Sequence, residues 1–171
     1  DGQDKYYVEV ESLTALTDSA KTDAIDAGDN KITGLSHLEG LLVDVKADGA
    51  YMGQFTVTSG EVTLPRAYTE AEAGLPYTPF IQTMPLNIGL QNGPNAASKK
   101  KILRAAITMD QSNGIIVSGQ RLADKTIGLN QFDAPEPFTG LKRITLLGWS
   151  LEADLTITQT TPMPMNILSI G

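Results

Sequence analysis

Hydrophobic and polar positions alternate with a period of two along much of this chain. In "GLLVDVKADG", Leu41, Val43 and Val45 share one face and Leu42, Asp44 and Lys46 the other, the signature of a half-buried strand. Asp48-Gly49 follows as a tight-turn dipeptide. "QFTVTSGEVTL" continues with Phe55, Val57, Val62 and Leu64 inward and threonines outward, and Ser59-Gly60 between the halves suits a hairpin turn. Together these predict a meander of three strands. "KYYVEVES" (Lys5 to Ser12) also alternates and predicts a strand.

Elsewhere the pattern is broken by turn residues. Residues 13–35 lack apolar periodicity and read as a loop-like insertion, with a short strand or turn near "KITG" and a helical turn over Ser36–Glu39. Ser36 could cap that turn, and Gly40 could take the left-handed position that ends it. In "AEAGLPYTPFIQTMPLNIG", Pro76, Pro79 and Pro85 forbid helix and predict an edge or interrupted strand. "NGPNAASKKK" reads as a loop. "KILRAAITMDQSNGIIVSG" predicts a hairpin, its apolar runs flanking Asn113-Gly114. The irregular "RLADKTIGLNQFDAPEPFTGL" precedes strands in "RITLLG" and "DLTITQTTPMPMNILSI", the last broken by Pro162 and Pro164. No helical pattern of ten residues occurs. The expected fold is all-β, one domain over 1–171, an antiparallel β-sandwich or distorted barrel with long loops.

Composition narrows the function. The chain's 171 residues suffice for a real core, and 41% hydrophobic against 19% charged fits a folded domain and argues against disorder. A net charge of -7 repels phosphate backbones, which argues against general nucleic-acid binding but not against a conduit past which DNA slips. Cysteine is absent, which removes disulfides, thiol nucleophiles and zinc-thiolate sites. No apolar run reaches the ~18 residues a membrane helix needs. Starting at Asp1 and ending in "MNILSIG", the chain reads as a fragment of a longer protein.

Candidate chemistry is sparse. The chain's one histidine, His37, stands two residues before Glu39. With no second histidine and no H-E-x-x-H spacing, the pair reads as a turn whose polar side chains bond open backbone groups. A glycosidase would pair two carboxyls, and Asp44, Asp48, Glu61, Glu70, Glu72, Asp133, Glu136, Glu152 and Asp154 are available. Asp44 and Glu61 fall on expected solvent faces. Asp23, Asp26 and Asp29 recur every three residues, unlike a calcium loop. "TSGE" and "VSGQ" are turns after strands, not a serine nucleophile motif. Lys99-Lys100-Lys101 with Arg104 read as a solvated loop leading into an edge strand, with a subunit contact as the alternative. Trp149, the single tryptophan, reads as a core residue between strands; exposed, it could stack on sugar.

The order of the segments resembles a β domain of the tail nozzle proteins of short-tailed phages, also called tail tubular protein B. The resemblance runs from Ser36 to about Ile170. It rests on His37-Leu38-Glu39-Gly40, Ala47-Asp48-Gly49, the Gly60 hairpin, Gly74-Leu75-Pro76-Tyr77 and the terminal Gly148-Trp149 strand pair. Residues 13–35 do not fit it, and 122–136 are looser than its pattern. It implies a virion structural protein in the phage tail, without enzymatic activity or cofactor. Its partners would be copies of itself in a sixfold ring and tail adaptor and fibre proteins, with DNA passing through unbound and no membrane involved. A receptor- or glycan-binding module predicts instead an exposed aromatic shelf. A polysaccharide-cleaving enzyme predicts two carboxyls in a groove.

Overall fold

The computed structural model describes residues 14–24, 29–85, 89–90, 93–94, 98–124 and 133–171. The strand expected over Lys5–Ser12 lies outside them. Among the described residues the regular structure is all strand apart from one 3-10 turn, Ser36–Leu38. Among these residues every strand pairing is antiparallel, and no sheet closes into a barrel. The chain forms two compact units. Unit 1 holds residues 1–77, 126–135 and 161–163; unit 2 holds 78–125, 136–160 and 164–171.

Unit 1 contains β1 (Asp18–Ala24), β2 (Lys31–Ile32), β3 (Leu42–Ala47), β4 (Ala50–Thr56), β5 (Val62–Thr63) and β6 (Glu70–Leu75). Its main sheet has the order β1-β6-β3-β4, and β2 pairs with β5. The β3–β4 turn falls at Asp48-Gly49. Both residues have positive φ, 45° and 78°, as a type I′ turn demands. Ser59 and Gly60 repeat that geometry at 56° and 71°, and Thr58 and Glu61 bond each other across the turn. The expected meander therefore breaks at its third strand. Val62-Thr63 leaves β4 and pairs with Lys31-Ile32, while β6 takes the place beside β3.

Residues 18–24, expected as loop, form a strand on β6. Their sequence, DSAKTDA, has no apolar alternation; the strand lies at the sheet edge, with a register shift between Asp18 and Lys21 where Ser19 takes φ 52°. The core lies between the sheet and the β2–β5 ribbon. Val43, Val45, Ala71 and Ala73 meet Ile32, Leu35, Leu38, Val57, Val62 and Leu64 there. Each fully buried Val, Leu or Ile contributes about 1.5–3 kcal/mol.

Unit 2 is a β-sandwich. It contains β7 (Phe80–Gln82), β8 (Gly89–Leu90), β9 (Gly93–Pro94), β10 (Arg104–Ser112), β11 (Ile115–Val117), β12 (Gln120–Arg121), β13 (Phe138–Thr145), β14 (Thr156–Gln159) and β15 (Asn166–Ile170). One sheet has the order β13-β10-β15, the other β12-β11-β14-β7, and β8 pairs with β9 inside the expected 92–101 loop region and just before it. Ile107, Met109, Ile115, Val117, Leu122 and Ile157 form the main core between the two sheets.

The Asn113-Gly114 turn does not close a hairpin. The strands on its two sides belong to different sheets, so the chain arches from one layer to the other. Both apolar runs thereby face the same core. The arch is tied by Asn113 N–H to Pro164 O (3.0 Å), Gly114 N–H to Asp124 Oδ1 (2.9 Å) and the Gln159 amide to Asn113 O (2.7 Å). Pro162 and Pro164 likewise separate β14 from β15, which lie in opposite sheets. The lysine run leads into β10, a central strand and not the expected edge, and Lys100 is itself buried, its backbone paired with Ser150.

Candidate functional site

The Ser36–Glu39 turn serves a neighbouring turn. Leu38 is fully buried in the unit 1 core and anchors it. Ser36 makes no side-chain cap; Leu35 holds that position instead. Gly40 takes φ 74° and donates its N–H to Val57 O at 3.0 Å, while Val57 N–H returns to Leu41 O. Glu39 reaches across to the Ser59-Gly60 turn, accepting the Ser59 N–H on Oε1 at 2.9 Å and the Gly60 N–H on Oε2 at 2.6 Å. His37 turns elsewhere, its Nε2 lying 3.2 Å from Ser19 O. The two side chains thus hold different backbone segments.

Because Glu39 is exposed, water replaces part of what its loss removes. Glu39→Ala should cost about 1 kcal/mol, read as a drop of about 2–4 °C in melting temperature; Glu39→Gln, which keeps one acceptor oxygen, should cost less. An unchanged melting temperature in Glu39→Ala would refute the clamp.

Asp48 acts in the same way one turn along. Its Oδ1 accepts the N–H groups of Thr69 and Glu70, both at 3.0 Å, and its own N–H donates to Glu70 O at 2.9 Å, fixing the start of β6 against the β3–β4 turn. Gly49 completes that turn. Within Gly74-Leu75-Pro76-Tyr77, Gly74 is the closely packed member: a Cβ there would meet Thr17 Oγ1 and stand 2.6 Å from Asp18 O. Leu75 packs partly on the core, Pro76 ends β6, and Tyr77 is exposed.

Among the described residues two carboxylates are buried. Asp44, expected on a solvent face, is only 3% exposed and accepts the Tyr51 hydroxyl at 2.9 Å. Burial first, then the hydrogen bond and charge of Asp44, push the Tyr51 phenol from 10.0 up to about 12. The folded value lies above the unfolded one, so this contribution is whole below pH 10.0 and is lost as pH rises through about 12. Ultraviolet titration should find the Tyr51 phenol ionising at about 12, and Asp44→Asn should bring it part of the way back, burial remaining. If Tyr51 titrates alike in the parent and in Asp44→Asn, Asp44 does not hold Tyr51.

Glu72, also 3% exposed, is the hub of a network that sequence reasoning missed. Its Oε1 accepts Leu16 N–H at 2.6 Å and the Thr17 hydroxyl at 2.9 Å, and its Oε2 meets Lys46 Nζ at 3.0 Å. A cavity of about 390 Å³ beside it is lined by Thr22, Lys46, Asp48, Glu70 and Glu72. Its buried carboxylate is already neutralised by Lys46, and Asp48 is spent on backbone. Among the described residues no group of three or more histidine, aspartate or glutamate side chains could hold a metal ion. Of the aspartates spaced by three, Asp29 accepts the N–H groups of Asn30 and Lys31 on Oδ1, while Asp26 and the Asp23 side chain lie outside the described residues.

Trp149 is 70% exposed, not the core residue expected. Leu146, Ala153 and Leu155 on either side of it are buried, while Leu147 and Leu151 are exposed with it. It forms a wall of a groove of about 190 Å³ in unit 2. The signal in the sequence was the loss of alternation over "LLGWSLEAD", which no regular strand explains. Among the described residues no helix is long and apolar enough to cross a membrane. No family model matches this chain, and no curated protein matches it.

Proposed function

We propose that this chain is a structural β module of a virion, part of the nozzle ring that extends the DNA-ejection channel of a short-tailed phage tail. In this reading it packs against copies of itself, in a sixfold ring in the full protein, and against tail adaptor and fibre proteins. The observation that carries the proposal is the edge of the unit 2 sandwich. β7 ends its sheet, all three of its residues are exposed, and Phe80 and Ile81 are two of them. Among the described residues its outer side pairs with no strand. An edge that offers open backbone groups beside apolar side chains is a template for pairing with another chain. Leu141 and Leu168, exposed on β13 and β15, add apolar surface on the other sheet. The net charge of -7 suits a wall that does not hold DNA.

Electron microscopy of the full-length gene product tests the reading. Closed rings with a central lumen are expected, weakened by Ile81→Lys, which places a charge on the edge. Dispersed single subunits under all conditions would overturn it.

A further inference from the structure

We propose that the Trp149 groove of unit 2 is a saccharide-binding site that takes one pyranose ring against the indole face. This holds whether or not the chain is built into a ring. The groove is lined by Trp149, Leu146 and Ile102 on its apolar side and by Lys100, Gln120 and Asp154 among its polar groups. At about 190 Å³ it is smaller than the ~300 Å³ at which pockets for larger organic ligands begin. A single sugar ring suits that size. Such a ring presents an apolar C–H face and a rim of hydroxyls, which matches an aromatic wall flanked by donors and acceptors.

The indole is held out of the core by a loop that is itself tied down. Lys100 and Ser150 exchange both backbone hydrogen bonds, at 2.7 and 2.9 Å. Ser150 Oγ accepts Glu152 N–H at 3.1 Å. Leu155 N–H bonds Thr83 Oγ1 at 2.9 Å, and Thr83 N–H bonds Leu155 O at the same distance. Gly148 at φ 108° and Ala153 at φ 49° bend the backbone on either side of Trp149. An alanine in that left-handed region carries a strain that surrounding contacts must hold. On the inner side Leu146 and Leu155 join Ala105 in a small core, so the loop cannot roll to bury Trp149 without exposing them. Asp154, which accepts the Gln82 amide, is set by that contact at the groove's rim. A loop backbone that is already fixed loses little freedom on binding, and that raises affinity.

Trp149 is the single tryptophan, so its emission reports on the groove directly. The chain should be titrated with maltohexaose, cellohexaose, mannohexaose, chitohexaose and polygalacturonate. A saturable shift in emission with at least one of them is expected. By calorimetry, Trp149→Ala should weaken that binding by tenfold or more, Trp149→Phe should restore part of it, and Asp154→Asn or Gln120→Ala should weaken it less. Far-UV circular dichroism should be unchanged in Trp149→Ala, since the side chain is exposed. No shift with any of the five, or binding that survives Trp149→Ala, would overturn the proposal. So would an emission shift that follows protein concentration alone, which would assign the patch to contact with another protein surface.

Discussion

Glu72→Ala is expected to destabilise the protein by about 3 kcal/mol, the lower end of the cost of breaking a buried ion pair by removing one partner. The loss strands Leu16 N–H, the Thr17 hydroxyl and the Lys46 ammonium together. The figure sits at the lower end because the Lys46 side chain is 20% exposed, against 4% for Glu72, and can partly rehydrate. Urea unfolding followed by far-UV circular dichroism should show a lower midpoint with an unchanged slope. The double variant Lys46→Met with Glu72→Met should recover much of the loss, because it removes both charges instead of orphaning one. A cost below about 1 kcal/mol would mean that the pair behaves as a surface ion pair.

The second large effect is expected at Gly74, where the sign is diagnostic. Within an ordinary strand, glycine to alanine is favourable by roughly 0.5–1 kcal/mol, since glycine loses more freedom on folding. At Gly74 the added methyl has no room, for it would stand 2.6 Å from Asp18 O and against Thr17 Oγ1. Gly74→Ala should therefore lower stability by about 1–3 kcal/mol, the range for overfilled interiors. Because Thr17 also donates to Glu72, Gly74→Ala and Glu72→Ala should combine less than additively. Any gain in stability from Gly74→Ala would show that β1 does not press on β6 as described.

What the sequence made legible was local. Asp48-Gly49, Ser59-Gly60 and Ser118-Gly119 each place two positive-φ residues in a two-residue turn, and each pair was readable as a turn because few residues tolerate that backbone. Leu41, Val43 and Val45 declared their face by period two. Asn113-Gly114 carries the same chemistry yet forms an arch, since a turn signal does not say whether the strands it joins will pair with each other or with partners far away. β1 carried no signal because an edge strand of DSAKTDA is held by β6 and not by its own pattern. Asp44 departs from its expected place because it is covered locally, its carboxylate taking the Tyr51 hydroxyl, while Leu42 on the same face stays exposed. Trp149 was misplaced because its loop is set by long-range bonds to Lys100 and Thr83. The turn role of Glu39 was anticipated, but its partner, twenty residues on, was not.

The arch at Asn113-Gly114 also bears on the speed with which unit 2 can assemble. A hairpin there would let β10 and β11 zip together from neighbouring residues. Instead β11 waits for β14, whose Thr158 faces Ile116, and β7 waits for the same strand, Phe80 facing Thr158 from the other side. Closing such long loops must precede the contacts that reward it, which places this unit among slow-folding topologies. During synthesis β7 stands without its sheet partner until β14 arrives, while β10 waits for β13 and β11 has only the two-residue β12 beside it, an interval in which a chaperone would find them exposed.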